Sequence, residues 1–360
     1  MLALATFVAG CGSGLQRVEI ENARSTAIAC TGWSRSEGGT ARAVGTWRFF
    51  FDSGAVRALG EYDHGPAVRS VPALVRETTV PDEGRTGWWT TWSERGVKTS
   101  EGAYRAGRPH GMWKRWDDAG TLRARGEYWG GRKLGVHRTW HASGTLATEG
   151  AFHFDQPRGE HVHYDDQGTL RWRAHYTNGA LDGLVEEWDE RGILRERAWY
   201  AAGRLQGART QWDELGRRTN RSRYDAGVLD GPSLLFHPNG AVRLRSRFAK
   251  GVQEGVVCGF DAEGRREWAG YYVEGKLHGV RLDWHTNGEL RASTTFARGV
   301  EEGPYEEYDE LGRLRARGAF HAGRREGNWT FFAADGLADV ERSGRYSAGA
   351  LVAAGIAPGS

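Results

Sequence analysis

The chain has 360 residues, room for two or three ordinary domains, but Gly is 53, about twice the usual share, Pro is only 9 and Trp is 16. Gly excess without Pro excess, in a chain this rich in aromatics, excludes a disordered or low-complexity polymer and points to repeated β-hairpins with turns at short intervals. A net charge of +3 gives no general case for nucleic acid, and with five Lys among the 49 basic residues the Arg excess reads chiefly as codon bias.

The N-terminus comes first in chain order. Residues 2–10 form a short apolar run, and Val8-Ala9-Gly10-Cys11 then resembles a bacterial lipobox, in which small residues precede a cysteine that is lipidated. Gly12-Ser13-Gly14 would follow as a tether. The expectation is a lipoprotein of the cell envelope anchored through Cys11, periplasmic or surface-facing. There is no basic n-region, and the alternative is a buried first strand with an incidental cysteine in a cytoplasmic protein. No stretch is long enough to span a bilayer. The remaining cysteines, Cys30 and Cys258, lack any CxxC or Cys/His spacing and stand too far apart in an array to pair.

After a tether and N-terminal cap over 12–44, a period begins. Glycines fall at 87, 111, 135 and onward to 327 in steps of 24 residues, with no insertion or deletion. A second Gly follows each by nine, from Gly96 to Gly336. An aromatic sits five residues after every first Gly, from Trp92 and Trp116 to Phe332. Another sits eight after the second Gly, from Tyr104 to Phe320, failing only at Gly344. An earlier unit at 45–65 matches the pattern, making twelve. Between it and Gly87 lies an insertion, 66–86, with apolar Val71, Leu74, Val75 and Val80. It reads either as a tolerated loop or as a lid over the first units. Eleven regular units then fill 87–350, and 351–360 is a tail.

Each unit reads as a hairpin. In the unit 111–128, Met112 to Trp116 is one strand, Asp117-Asp118-Ala119-Gly120 a turn, and Leu122 to Tyr128 the second strand. There Leu122, Ala124, Gly126 and Tyr128 alternate with Arg123, Arg125 and Glu127, one apolar face and one charged face. Small residues recur opposite the aromatics at Gly102, Gly126, Gly150, Ala174 and Ala198, so each ring is expected to lie over a neighbour's small residue.

These residues resemble the MORN family, and most of all its bacterial variant, G-x-W-x-x-Y-D-x-x-G-x-L-x-x-x-G-x-Y-x-x-G. Loops such as Arg108-Pro109-His110-Gly111 and Lys276-Leu277-His278-Gly279 match closely. The resemblance covers roughly residues 45–346, and proteins of this variant often carry the label YwqK-family antitoxin. It implies an all-β fold, an elongated array of antiparallel hairpins stacked into a single twisted sheet, about 115 Å long at two strands per unit. Stability would be nearly one-dimensional. It also implies, as an alternative function, an antitoxin or immunity protein that masks a toxin.

No nucleophile elbow, phosphate loop, HExxH or dinucleotide fingerprint occurs, so neither an enzyme nor a cofactor is expected. Six histidines lie between 137 and 175, and His161, His163 and His175 share a region of one strand pair. They read as a solvated polar face with His in place of Arg, in preference to a metal site. Arg171 and Arg173, Arg195 and Arg197, Arg221 and Arg223, and Arg243, Arg245 and Arg247 recur at alternate positions of second strands. Stacking would align them into a basic stripe, while the turns are acidic, as at Asp117-Asp118, Asp165-Asp166 and Asp213-Glu214. The stripe favours an anionic partner. The competing reading pairs these arginines with first-strand carboxylates such as Glu186, Glu187, Asp283 and Glu307. The expected function is a non-catalytic scaffold binding a protein or an anionic envelope surface, with no nucleic acid partner.

Overall fold

The computed structural model describes residues 5–9, 14–21, 28–68 and 80–355, with the backbone alone at 5–9. Among these residues there are thirty β-strands and no helix. The chain divides into two compact units, Met1–Leu181 with Glu190–Gly192, and Asp182–Asp189 with Ile193–Ser360. In each, strands pair antiparallel with their neighbours in sequence. The first unit runs from Ala5–Ala9 through Leu15–Glu21 and Ile28–Glu37 to Leu170–Thr177. The second runs from the pairing of Ala180–Trp188 with Leu194–Ala201 to that of Gly344–Ser347 with Ala350–Ala354. Each unit is therefore an open meander of hairpins, as the period requires.

Two kinds of turn alternate. Connections between units are two-residue turns such as Ala106-Gly107, with φ +49° and +74°, both positive as a type I′ turn demands. Turns within units follow the Asp-x-x-Gly pattern. The Ala119 and Thr121 N–H groups donate to Asp117 Oδ1 at 3.0 and 2.9 Å, so the carboxylate closes the turn.

Register assigns the faces. In the unit 111–128, Trp113 lies opposite Gly126, Lys114 opposite Arg125 and Arg115 opposite Ala124. The ladder then slips, and Trp116 lies opposite Leu122 with Arg123 as the extra, bulged residue. Alternation puts Trp113, Arg115, Ala124, Gly126 and Tyr128 on one face, here called inner, and Lys114, Trp116, Leu122 and Arg125 on the outer. Lys98 bears this out: it pairs with outer-face Glu101 at 2.7 Å and lies 5.5 Å over the Trp116 ring.

This corrects the expected packing. The rings over small residues are not those five residues after each first Gly, which belong to the outer face. They come from two residues after it. Trp113 covers Gly102 of the preceding hairpin so closely that a Cβ there would come within 2.3 Å of the indole. Trp47 over Gly32, Trp89 over Gly60 and Trp329 over Gly318 repeat the arrangement. The indole N–H of Trp113 donates to the Ala103 carbonyl at 2.9 Å, and that of Trp329 to Ala319 at 3.0 Å. Gly111, at φ +78°, makes the backbone bulge that turns the ring back over the previous unit. Tyr104 stands edge-on between Trp89 and Trp113, with centroids 6.1 and 4.9 Å away.

The inner face is not uniformly apolar, contrary to expectation. In the second unit Arg209 forks onto Glu196 with bonds of 2.8 and 2.6 Å, and Ser222 and Ser233 bond at 2.9 Å. The outer face in turn carries an aromatic row.

Both ends of the inner face are covered. Residues 15–44, expected as tether and cap, carry strands of the same sheet, and Val18, Ile20 and Cys30 are fully buried with Trp47, Phe49 and Tyr62. The 66–86 insertion is a tolerated loop in neither of its described ends. Val68 is buried in that core with Val80 against it. Arg85 donates to the Pro81 and Val80 carbonyls and lies 4.4 Å over Trp89. Val71, Leu74 and Val75 lie outside the described residues. At the other end, Gly327 pairs with Tyr346, two residues later than the period requires. The aromatic that fails at Gly344 thus arrives as Tyr346, which packs on Trp329 and Phe331.

Candidate functional site

Beyond its capped end, the first unit leaves part of its inner face open. His137 and His161 stand at the position that Trp47, Trp89 and Trp113 fill in earlier hairpins. Each imidazole lies over the preceding glycine, Gly126 or Gly150. Each Nε2 donates to a backbone carbonyl, Glu127 at 2.8 Å and Ala151 at 2.9 Å, as an indole N–H does. This fixes the Nε2–H tautomer. A five-membered ring in the seat of an indole leaves space, and a cavity of about 320 Å³ opens there.

The column of rings continues through it. Tyr128, His137, Phe152, His161 and Tyr176 meet edge-to-face in succession at 5.1, 5.3, 5.1 and 4.9 Å. The Lys133 ammonium lies 4.6 Å over the Phe152 ring, and Arg115, exposed and on the inner face, is also among the lining residues. Thr139 and Thr148 hydroxyls bond to each other at 2.7 Å across the floor. Glu149, which contributes to the lining, turns its carboxylate to the outer face, where Arg138 engages it at 2.6 Å.

His137 and His161 therefore stand in for Trp and not for Arg on a solvated face; His153, His163 and His175 are exposed, as that reading had them. The exposed His163 packs against Trp172 at 4.8 Å. Among the described residues no group of three or more His, Cys, Asp or Glu is placed to hold a metal. Other histidines tie turns together: His141, His237 and His285 donate from Nε2 to the Tyr164, Phe260 and Tyr308 carbonyls at 2.8–2.9 Å. Where His replaces the turn Asp, Asn239 and Asn287 bond the local N–H groups instead.

The nine arginines of the expected stripe separate into different environments. Arg171 reaches its own turn carboxylate, Asp165, at 3.5 Å, as Arg123 reaches Asp117 at 3.3 Å. Arg195 occupies the same bulge position, with Nη1 buried. Arg197 pairs with buried Glu186 at 2.8 Å, as the competing reading had it. Arg173 is half-buried. Arg221, Arg223, Arg243, Arg245 and Arg247 are exposed on two nearby strands of the second unit. The neighbours across the ladder from Arg221, Arg223 and Arg245 are Thr210, Ala208, Leu234 and Cys258, all uncharged; Arg247 has Pro232 on one side and, on the other, Glu254, whose N–H donates to the Arg247 carbonyl at 2.9 Å. Arg243 lacks a turn Asp because His237 stands there. The acidic turns are structural; Asp117 is held below the usual carboxylate range by the Thr121 N–H, against desolvation and with help from Arg123.

A second cavity of about 310 Å³, in the second unit, lies beside Trp268, Arg281 and Asp283. Its buried carboxylate is already bound by Arg281 at 2.7 Å and Arg291 at 3.4 Å. Cys11 lies outside the described residues. Cys30 and Cys258 are free thiols, and burial pushes Cys30 up to about 12.

The 24-residue spacing of glycines and aromatics does not single out Arg115, Lys133, Thr139 or Thr148. The signal was present two residues after each first Gly, where Trp changes to His at 137 and 161. No family model and no curated protein matches this sequence. Among solved structures it is similar to the crystal structure of TcdB2-TccC3 without its hypervariable C-terminal region, at 10% identity and a TM-score of 0.17. That match covers 88% of this chain and 19% of the other, so the chain spans about a fifth of that protein's length.

Burial holds His137 and His163 below their ordinary value of 6.5, so the folded state favours the neutral rings. The unfolded chain then binds more protons, and stability rises with pH through this range. The stabilisation is complete above about pH 6.5 and is lost as pH falls below it. Hydrogen-exchange protection factors over 135–176 should fall between pH 7.5 and pH 5 more than those over 98–116. Equal changes in the two regions would contradict this.

Proposed function

We propose that the chain is a non-catalytic repeat scaffold that binds an anionic partner through the exposed arginines of its second unit. The observation that carries this reading is the set Arg221, Arg223, Arg245 and Arg247, four arginines exposed on two nearby strands with one carboxylate residue, Glu254, among their cross-strand neighbours. Carboxylates at the ends of these strands are already engaged: Asp225 accepts from Gln206 and Asp230 from the Lys250 N–H. Unscreened like charge of this density is relieved by a bound anion or by salt. The non-catalytic part rests on the sequence, which carries none of the catalytic motifs sought. The MORN-type resemblance supports a scaffold. Its antitoxin label would turn the same surface against an acidic protein, and that enters as one arm of the test.

Arg195 and Arg197 belong to the turn and ion-pair framework, so the variant that isolates the surface reverses Arg221, Arg223, Arg245 and Arg247 to Glu. Substitutions at such exposed sites change stability by only about 0.5 kcal/mol each. Wild type should co-sediment with phosphatidylglycerol vesicles, losing affinity steeply with salt, and the fourfold variant should fold and not bind. Binding that is flat in salt, or untouched by the reversals, places the interface elsewhere. Capture of poly-glutamate but not vesicles points to an acidic protein.

The proposed location is the cell envelope, through lipidation at Cys11, on the strength of Val8-Ala9-Gly10-Cys11. Ala5–Ala9 pairs with 16–20 as an edge strand, the arrangement belonging to the alternative of an unprocessed segment. Fatty-acid labelling of wild type and not of Cys11→Ala is the expected result; equal labelling, or none, removes the anchor.

A further inference from the structure

The cavity over Gly126 and Gly150 has chemistry of its own. It exists because imidazole replaces indole in two consecutive hairpins, while the glycines that make room for an indole are kept. Its rings stand edge-to-face, so a flat guest can lie against Phe152 and Tyr128 at ordinary contact distance. Trp113, 7% exposed, closes one end. The volume of about 320 Å³ is at the small end of ligand sites.

Its charge is of one sign. Arg115 and Lys133 sit on the inner face at its rim, while Glu149 and Arg138 pair with each other on the outer face. The bonded pair Thr139 and Thr148 shares one hydrogen, which leaves the second hydroxyl hydrogen to donate. The imidazole Nε2–H groups are spent on backbone carbonyls, which keeps His137 and His161 as walls rather than acid–base groups.

The geometry points to a binding site for a small molecule that joins a planar ring to an anionic group, a carboxylate or a phosphate. The ring stacks in the seat left by the missing indoles. The anion meets Arg115, Lys133 and the free threonine hydroxyl. This site lies in the first unit and shares no residue with the arginine surface, so either proposal can fail while the other stands.

The test uses the full chain and three probes in isothermal titration calorimetry: 1-naphthyl phosphate, 1-naphthalenemethanol and inorganic phosphate. The naphthyl phosphate should bind at one site, and the other two at least about tenfold more weakly, since each lacks half of the recognition. Arg115→Gln and Lys133→Gln, both at the rim, should each weaken it about tenfold. The double substitution His137→Trp with His161→Trp restores the side chain used elsewhere in the column. It should fold, with a raised Tm, and abolish binding by filling the cavity. No binding of the naphthyl phosphate overturns the proposal. So does equal binding of inorganic phosphate, or binding unchanged in the doubly filled variant. If that variant does not fold, undiminished binding by Arg115→Gln and Lys133→Gln overturns it instead.

Discussion

A ring laid flat on a glycine of the preceding hairpin is the contact on which this fold depends. A hairpin alone buries too little to be stable, so each must hold its neighbour. Trp113 does so by covering Gly102 and bonding the adjacent carbonyl, two attachments from one side chain. The contact sets the step between hairpins. It also sets the identity of the first glycine of each unit, whose positive φ turns the ring backward.

The chain varies this contact in a consistent way. Where a Trp or His provides the ring, the residue beneath is Gly, as at Gly102, Gly126, Gly150 and Gly318. Where Arg209, Ser233 or Val257 stands in the ring's place, the preceding position is Ala198, Ser222 or Ser246. Gly270 is kept because Leu277 lies over it, 2.5 Å from where a Cβ would be. Thr294 precedes Tyr305, whose ring leans toward Phe320 and Trp329 instead. A filled column makes a core; a column of smaller rings makes a cavity; a polar column makes a hydrogen-bonded strip. The same backbone thus offers different chemistry along its inner face, while the outer face carries the exposed arginines Arg221, Arg223, Arg245 and Arg247.

Strands, turns and period were legible in the sequence because Gly spacing and alternation depend on local backbone geometry. The face of each aromatic was not. A single bulge, at Arg123 and its equivalents, inverts the alternation between Leu122 and Ala124, and period-two counting runs straight through it. Trp116 therefore read as a core ring, and Trp113 was passed over. Of the arginine stripe, Arg221, Arg223, Arg245 and Arg247 are exposed. The stripe misled at Arg171, because whether an arginine is spent depends on the carboxylate its turn presents. The early strands within 15–44 are not legible because the 24-residue glycine spacing does not extend to them, and Tyr346 because two added residues shift it. The insertion's burial of Val68 and Arg85 is tertiary and left no pattern to find.

The account turns on the ring-over-glycine contact, and a double-mutant cycle at Gly102 and Trp113 tests it most directly, read by native-state hydrogen exchange in 98–116. Gly102 has no left-handed φ, so alanine adds no backbone strain there, and elsewhere in a strand it would be neutral or stabilising. With Trp113 present, the added Cβ has nowhere to go, and Gly102→Ala should destabilise the local hairpins by about 1–3 kcal/mol. In the Trp113→Ala background the same change should cost nothing or stabilise slightly. An equal cost of Gly102→Ala in both backgrounds would contradict the account.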